Sequence, residues 1–563
     1  MSKMLSALLA SVLLAGCGSG DDTPTAAATV ADDTGQALDT LSAAALRAHV
    51  AYLAADDMRG RMTGSDEYDT AARYVAQRFE AFGLRPGGVD GWFQQVPLLA
   101  HRIDVASAAV TLHRDDGDTG LKWRDDFVMS GDKTRAQTRV RGDVVYVGYG
   151  IHAPELGYSD YDGIDVRGKI VALFGGAPDS FPHNERAYYS SGRSKAAEMV
   201  ARGAIGWIGL RSRLDRQRRS WERITQNAGV RPGMSWVKLS GEASDYHAEL
   251  RGAATLNEQA ATELFDGTPI SFAAAEDAAA AGTPRSTPLG IQVTLQRNTA
   301  HEHIESPNVI GILPGSDPVL AGEYVVFSAH LDHIGSGAAV NGDSIYNGAY
   351  DNAMGVSLLL ESARALAAMP VAPPRSILFV AVTGEERGLL GSDYFAHYPT
   401  VPSGALIADV NLDMPLFLYP VADVIAFGAE HSTLDAMIEP AVGREGFALS
   451  SDPLPEEVLF IRSDQYSFVR QGMPSVFLVP GFASSDPAID GRARFMEHLQ
   501  THYHQPSDDL SRPVDWPSAL RFARANVRIG LALARAPQRP AWHAGDFFGE
   551  KFSRPKVRAA AAQ

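Results

Sequence analysis

A chain of 563 residues is too long for one ordinary hydrophobic core, so two or three units are expected. With 67 acidic against 50 basic residues, a formal net charge of −17, it carries no basic stripe and nucleic acid is not an expected partner. Its 45% hydrophobic and 21% charged residues are globular proportions, and beyond the first residues no apolar run approaches the roughly 20 that span a bilayer.

The first stretch is the exception. Lys3 precedes an apolar run, Leu5 to Leu14, and then comes Leu14-Ala15-Gly16-Cys17. A charged start, a short apolar core and small residues at the cut are the layout of a secretory signal. The last four residues resemble the lipobox of bacterial lipoproteins, which implies a signal peptide over 1–17, cleavage before Cys17 and a lipid on it. Gly18 in the next position implies, by the same resemblance, the outer membrane facing the periplasm. The chain is then anchored to a membrane without spanning it. Cys17 is the only cysteine, which excludes a disulfide framework within the chain. Residues 18–40 are small and polar and read as a flexible linker.

Residues 41–135 are expected to start the first unit. Leu46, Val50 and Leu53 recur at helical spacing, and Tyr68, Ala72, Val75, Phe79 and Phe82 make a clearer stripe. Ser65 or Asp66 can cap that helix and Gly83 ends it. Arg59 and Arg61, in the loop between, read as solvated cations. From 136 to 290 the texture changes: RGDVVYVGYGI and GKIVALFGG are strands, and SKAAEMVARGAIGWIGL is a helix running into another. The phrase VGYGIHAPELGYSDYDGIDVRGKIV resembles a protease-associated domain, which implies an insert that serves as lid or spacer beside a peptidase cleft.

The densest information lies in 291–540. EYVVFSAHLDH is an apolar strand followed at once by His330, Asp332 and His333. YNGAYDNAMGVSLLLESARALAAM puts Asp351 at the start of a helix with an apolar stripe at Val356, Leu359, Leu360, Ala363 and Leu366. SILFVAVTGEERGLLGSDYF is a strand apolar on both faces that ends in Glu385 and Glu386, and ALIADVNLDMP ends in Asp413. His504 sits in the proline-marked THYHQPSDDL, and VDWPSALRFARANVRIGLALARA is a long amphipathic helix. The fold expected is α/β, a doubly wound, mostly parallel sheet with a smaller inserted domain and a tail over 541–563. In such sheets the ligand crevice lies beyond the carboxyl ends of the strands, which is where these carboxylates and histidines fall.

Aspartate, glutamate and histidine without usable cysteine form the ligand set of a hydrolytic zinc site, with manganese or cobalt as substitutes. His330 and Asp413 can hold one ion, Glu386 and His504 a second, and Asp351 can bridge them. Two such ions share a water and polarise a carbonyl. Glu385, next to a ligand but pointing elsewhere, suits the general base, and Asp332 is placed to orient the His330 imidazole. His498 and His502 stand four apart on a helix and compete with His504. His301, Glu302 and His303 read as solvated strand-edge residues, and no H-E-x-x-H is present.

AHLDHIG, NGAYDNAMG, VTGEERGLLGS, NLDM and HYHQPSDD are similar, in order and spacing, to metallopeptidase family 28, which includes bacterial co-catalytic zinc aminopeptidases and the glutamate carboxypeptidases. The resemblance implies two zinc ions on His330, Asp351, Glu386, Asp413 and His504, with Glu385 as base. It favours His504 over its rivals through Y-H-x-P-x-D, and it implies a cis bond between Asp351 and Asn352. Met354 and Tyr350 depart from the serine and aspartate frequent in the family. Ser463, Asp464 and Tyr466 are implied to line the substrate pocket or support the ligands. The expected function is removal of N-terminal residues from peptides. A carboxypeptidase or glutaminyl-cyclase-like enzyme on the same fold, or a metal-free binding module, are the alternatives.

Overall fold

A computed structural model describes residues 34–553 apart from 284. Cys17, the signal-like stretch and residues 18–33 lie outside them. Residues 34–40 are helical, and Ala37 and Leu38 are buried, so the flexible linker does not extend to 40. The reason is packing: Arg364 donates to the Thr40 carbonyl and the Glu361 carboxylate accepts the Ser42 N–H at 3.2 Å.

Four parallel strands form the heart of the sheet, in the spatial order Ser376–Val382, Tyr324–His330, Leu406–Asn411 and Ser475–Pro480. Their residues alternate between two cores. Val325, Phe327, Ala329, Ile377, Phe379 and Ala381 face a layer that holds helices Asp66–Ala81, Gly355–Ala367 and Trp516–Arg535. Val326, Leu378, Val380 and Val382 face the opposite layer with Phe395 and Phe468. A strand buried on both faces has no polar alternation to show, hence the unbroken apolar runs. The Trp516–Arg535 helix lies so close to the sheet at Gly530 that an added Cβ would fall 2.3 Å from the Phe327 ring, a contact only glycine permits.

The sheet does not stop there. Two long antiparallel strands, Phe93–Arg114 and Thr287–Leu313, run out of the first core and into a second. Gln137–Tyr146 pairs with the far end of Thr287–Leu313, and Ile170–Phe174, Gly206–Leu210 and Ala253–Leu256 follow in parallel. The second core takes in Ile103, Val110, Leu112, Phe127 and Met129 as well as residues after 136. It therefore begins some way before that position. At the other end, helix Phe547–Phe552 is no loose tail: Phe548 is fully buried against His431, Phe460 and Tyr466. Among the described residues no helix is long and apolar enough to cross a membrane.

Candidate metal centre

The ends of three neighbouring parallel strands and one helix-opening turn meet at a single rim. Tyr324–His330 ends on His330, the Glu385–Arg387 turn follows Ser376–Val382, and Asp413 comes two residues after Leu406–Asn411. Asp351 is presented by a tight turn over Ala349–Met354, and the regular helix begins only at Gly355, later than the sequence pattern places it. The Asp351–Asn352 bond is cis. Asn352 ties the segments together: its Nδ2 donates to the Leu412 carbonyl at 3.0 Å and to that of His330 at 3.4 Å, and its Oδ1 accepts from Gly355 and Met414 N–H groups. Tyr350 and Met354, the two departures, are buried, and the Tyr350 hydroxyl donates to the Pro513 carbonyl at 2.6 Å.

His330 Nε2 lies 3.0 Å from Asp413 Oδ1 and 3.2 Å from Asp351 Oδ1. His504 Nε2 lies 3.0 Å from Glu386 Oε2 and 3.2 Å from the other Asp351 oxygen, Oδ2. The two oxygens of Asp351 thus face two separate sets of donors. The rivals stand elsewhere: His498 is buried against the Tyr350 ring, and His502 is bonded to Ser507 Oγ at 2.8 Å. The strand-edge group is also apart, with His301 bonded to the Asp132 carbonyl at 2.9 Å.

Sequence reasoning passed over His333. It is fully buried, with Nδ1 2.7 Å from Glu386 Oε1 and 3.9 Å from Asp351 Oδ2, and it completes a second group of metal-competent atoms, His333–Asp351–Glu386, beside His330–Asp351–Asp413. Its signal was the second histidine of H-L-D-H. Asp508 was also unread: it accepts the Tyr350 and Asp351 N–H groups, both at 3.0 Å, and so fixes Asp351 from behind.

Three assignments change. The Asp332 carboxylate does not orient the imidazole: His330 Nδ1 meets the Asp332 backbone carbonyl at 3.0 Å, while the carboxylate stands 3.9 Å away. It instead accepts the N–H groups of Glu385 at 3.1 Å and Glu386 at 3.4 Å, and the Thr63 hydroxyl at 3.0 Å. Arg61 is not solvated but buried, and its guanidinium donates to the carbonyls of Leu53, Leu331, Asn347 and Gly348. Arg59 remains exposed, 3.6 Å from Glu67. Tyr466 packs among Phe460, Phe548 and Phe552, in an aromatic cluster rather than a pocket. Ser463 supports a carboxylate, donating to Asp413 Oδ2 at 2.5 Å while it accepts from Asn411 Nδ2 at 2.7 Å. Asp464 is buried with neither carboxylate oxygen hydrogen-bonded, and burial lifts it to about 7.

The electrostatics fit cations. Glu385, Glu386, Asp351 and Asp413 crowd one buried space, Glu386 Oε1 and His333 Nδ1 stand 2.7 Å apart without hydrogen-bond geometry, and His333 Nε2 has no hydrogen-bond partner. Burial pulls His330 down, but the carboxylates of Asp413, Glu385 and Asp351 outweigh it and hold the imidazole well above its usual range. Burial also lifts Glu385 well above the ordinary glutamate range, helped by the charges of Asp413, Glu386 and Asp464. Buried carboxylates in this number are stable when they are paired or coordinate metals. A donor set of histidines and carboxylates suits zinc.

The second unit leans on this rim. Arg223 donates to the carbonyls of Gln500 and Tyr503, next to His504, and the Arg231 guanidinium lies 4.8 Å over the Tyr346 ring.

A sequence model of peptidase family M28 matches residues 308–529, the span that contains every one of the site residues from His330 to His504. Leupeptin-inactivating enzyme 1 of Streptomyces exfoliatus is 30% identical over 126 residues, 22% of this chain and 26% of that one. Aminopeptidase NAALADL1 of Mus musculus is 31% identical over 137 residues, 23% of this chain and 17% of that one. The matched stretch thus spans about a quarter or less of these relatives. A solved aminopeptidase from Aneurinibacillus sp. strain AM-1 shares the fold, with a TM-score of 0.51 and 18% identity over 90% of this chain and 97% of that one.

Proposed function

We propose that the chain is a zinc-dependent exopeptidase that removes N-terminal residues from peptides at a two-ion centre. The observation that carries this reading is the convergence of His330, Asp413, Glu386 and His504 around the two oxygens of one buried aspartate, Asp351. The family match over the same residues and the aminopeptidase names among the relatives support it. Ions held by these residues supply Lewis-acid activation of the scissile carbonyl and of a water. Glu385 stands beside this group without sharing its ion pairs, which suits it to take a proton from the attacking water and deliver it to the departing amine. Asp332 fixes the turn from which Glu385 projects, and Ser463 and Asp508 hold Asp413 and Asp351. The Cys17 motif supports an exported, lipid-anchored protein, and the unit after the first core supports a lid related to protease-associated domains.

The Glu385→Gln protein is the test. It should retain the metal content of the wild type and lose nearly all hydrolysis of aminoacyl chromogenic substrates; wild-type turnover in that variant would remove the base assignment. Chelation should abolish activity and zinc restore it. Cleavage of N-blocked but not C-blocked peptides would reassign the enzyme to the carboxypeptidases.

A further inference from the structure

A cavity of about 290 Å³ lies between the second unit and the turn that carries Glu385 and Glu386. Lys133, Arg193, Ser235 and Asp245 contribute one wall, and Arg387 and Gly388 the other. Gly192 opens it to the start of helix Gly192–Ala201, a ten-residue helix with no side-chain cap. Leading N–H groups of a helix have no partner within it, and together with the helix dipole they favour an anion.

The polar groups around the cavity are unevenly matched. Arg193 Nε is bonded to Asp245 Oδ2 at 2.6 Å, and Lys133 donates to the Asp245 carbonyl at 3.0 Å. Arg387 Nε and Nη2 are buried with no partner, as is the Oγ of Ser235, a residue only 1% exposed. Three cations therefore line the space against the single carboxylate of Asp245. Asp393, 3.7 Å from Arg193, already accepts from Trp236 Nε1 at 2.9 Å and from Arg470 Nη1 at 3.2 Å. Arg387 has only the more distant charges of Glu386 and Asp332. Unpaired buried donors of this kind are costly, and an acceptor with several lone pairs satisfies them together.

We propose that this cavity binds a small oxyanion, the chemistry shared by free phosphate and by the carboxylate of a small acid. The anion accepts from Arg387, Ser235 and the leading N–H groups of the Gly192–Ala201 helix. It thereby joins the second unit to the turn that bears the base, where Arg193 Nη2 already reaches the Gly388 carbonyl at 3.4 Å. The site is distinct from the metal centre and does not depend on the function proposed above.

Calorimetric titration of the full-length protein with inorganic phosphate, and separately with acetate, tests it. Saturable binding of at least one anion is expected, and the stronger of the two identifies the source. Arg387→Gln and Ser235→Ala should each weaken it, Arg387→Gln about tenfold because a charge-assisted contact is lost. Thermal melts confirm that the variants are folded. No saturable binding of either anion overturns the proposal, and so does binding of unchanged affinity in both variants, which places the anion at the metal centre instead.

Discussion

The carboxylate of Asp332 accepts the backbone N–H of Glu385 at 3.1 Å, and the same side chain takes the Glu386 N–H at 3.4 Å. One buried aspartate thus sets the turn from which the proposed base and a proposed ligand both project. Asp332→Asn places an amide where an acceptor-only group stood, and one of its ends presents a donor to another donor. The expected result is a fall in kcat of about 10–100-fold with a smaller change in metal content, the range seen when partners behind metal ligands are altered. Metal analysis alongside steady-state kinetics checks it.

His504 and His498 separate a proposed ligand from a packing histidine. His504→Ala should lower the bound metal measured after dialysis and lose activity. His498→Phe keeps the packing against Tyr350 and should leave metal content unchanged. Equal metal loss in both variants would contradict the geometry.

Arg61 holds four carbonyls that belong to three segments around the site. Burial pulls it down to about 10 against the field of Asp332 and Asp351, so it stays charged at neutral pH. Arg61→Met leaves those carbonyls without a donor and should cost about 3 kcal/mol or more. Arg61→Lys should rescue little, because one ammonium cannot reproduce the fork. Denaturant midpoints at fixed metal concentration read both.

His101 gives the pH prediction. It is buried with neither ring nitrogen bonded, and burial, followed by the cationic field of Lys133, His301 and Arg297, drives it down to about 4. Its folded value is below the ordinary 6.5, so between those limits the unfolded chain binds the proton first. Stability from this group is complete above about pH 6.5 and is lost as the pH falls toward 4, by about 1–2 kcal/mol at pH 5. His101→Gln should flatten that part of the stability curve whatever it does at pH 7. Parallel slopes for the two proteins would refute the assignment.

Much of the site was legible because strand-end chemistry is written locally. His330, Glu386 and Asp413 each follow an apolar run whose parallel pairing brings the strand ends together, and Asp351, just ahead of a helix, is tied to them through Asn352. His333 was not legible, because a second histidine after a strand looks the same whether it turns inward or outward. Arg61 was misread for a related reason: loop cations are usually solvated, and only the closed fold supplies four carbonyls for one guanidinium. The Asp332 role went astray by one bond, since its backbone rather than its side chain meets the imidazole. Of the longest strands, Phe93–Arg114 escaped notice and Thr287–Leu313 was seen only around His301–His303, because they pass from one core to another and their burial alternates only in patches.

Those two strands also decide what can be cut away. They carry one ladder from Val309 opposite Phe93 to Gln292 opposite His113, interrupted once where residues 105–108 bulge out opposite Arg297. No tether joins the halves, so excising the second unit severs hydrogen-bonded backbone and strips two neighbouring edges of their partners. Exposed edges of that length template pairing between chains. A trimmed chain should gather into insoluble material even with every candidate metal ligand intact, and the two units should melt as one.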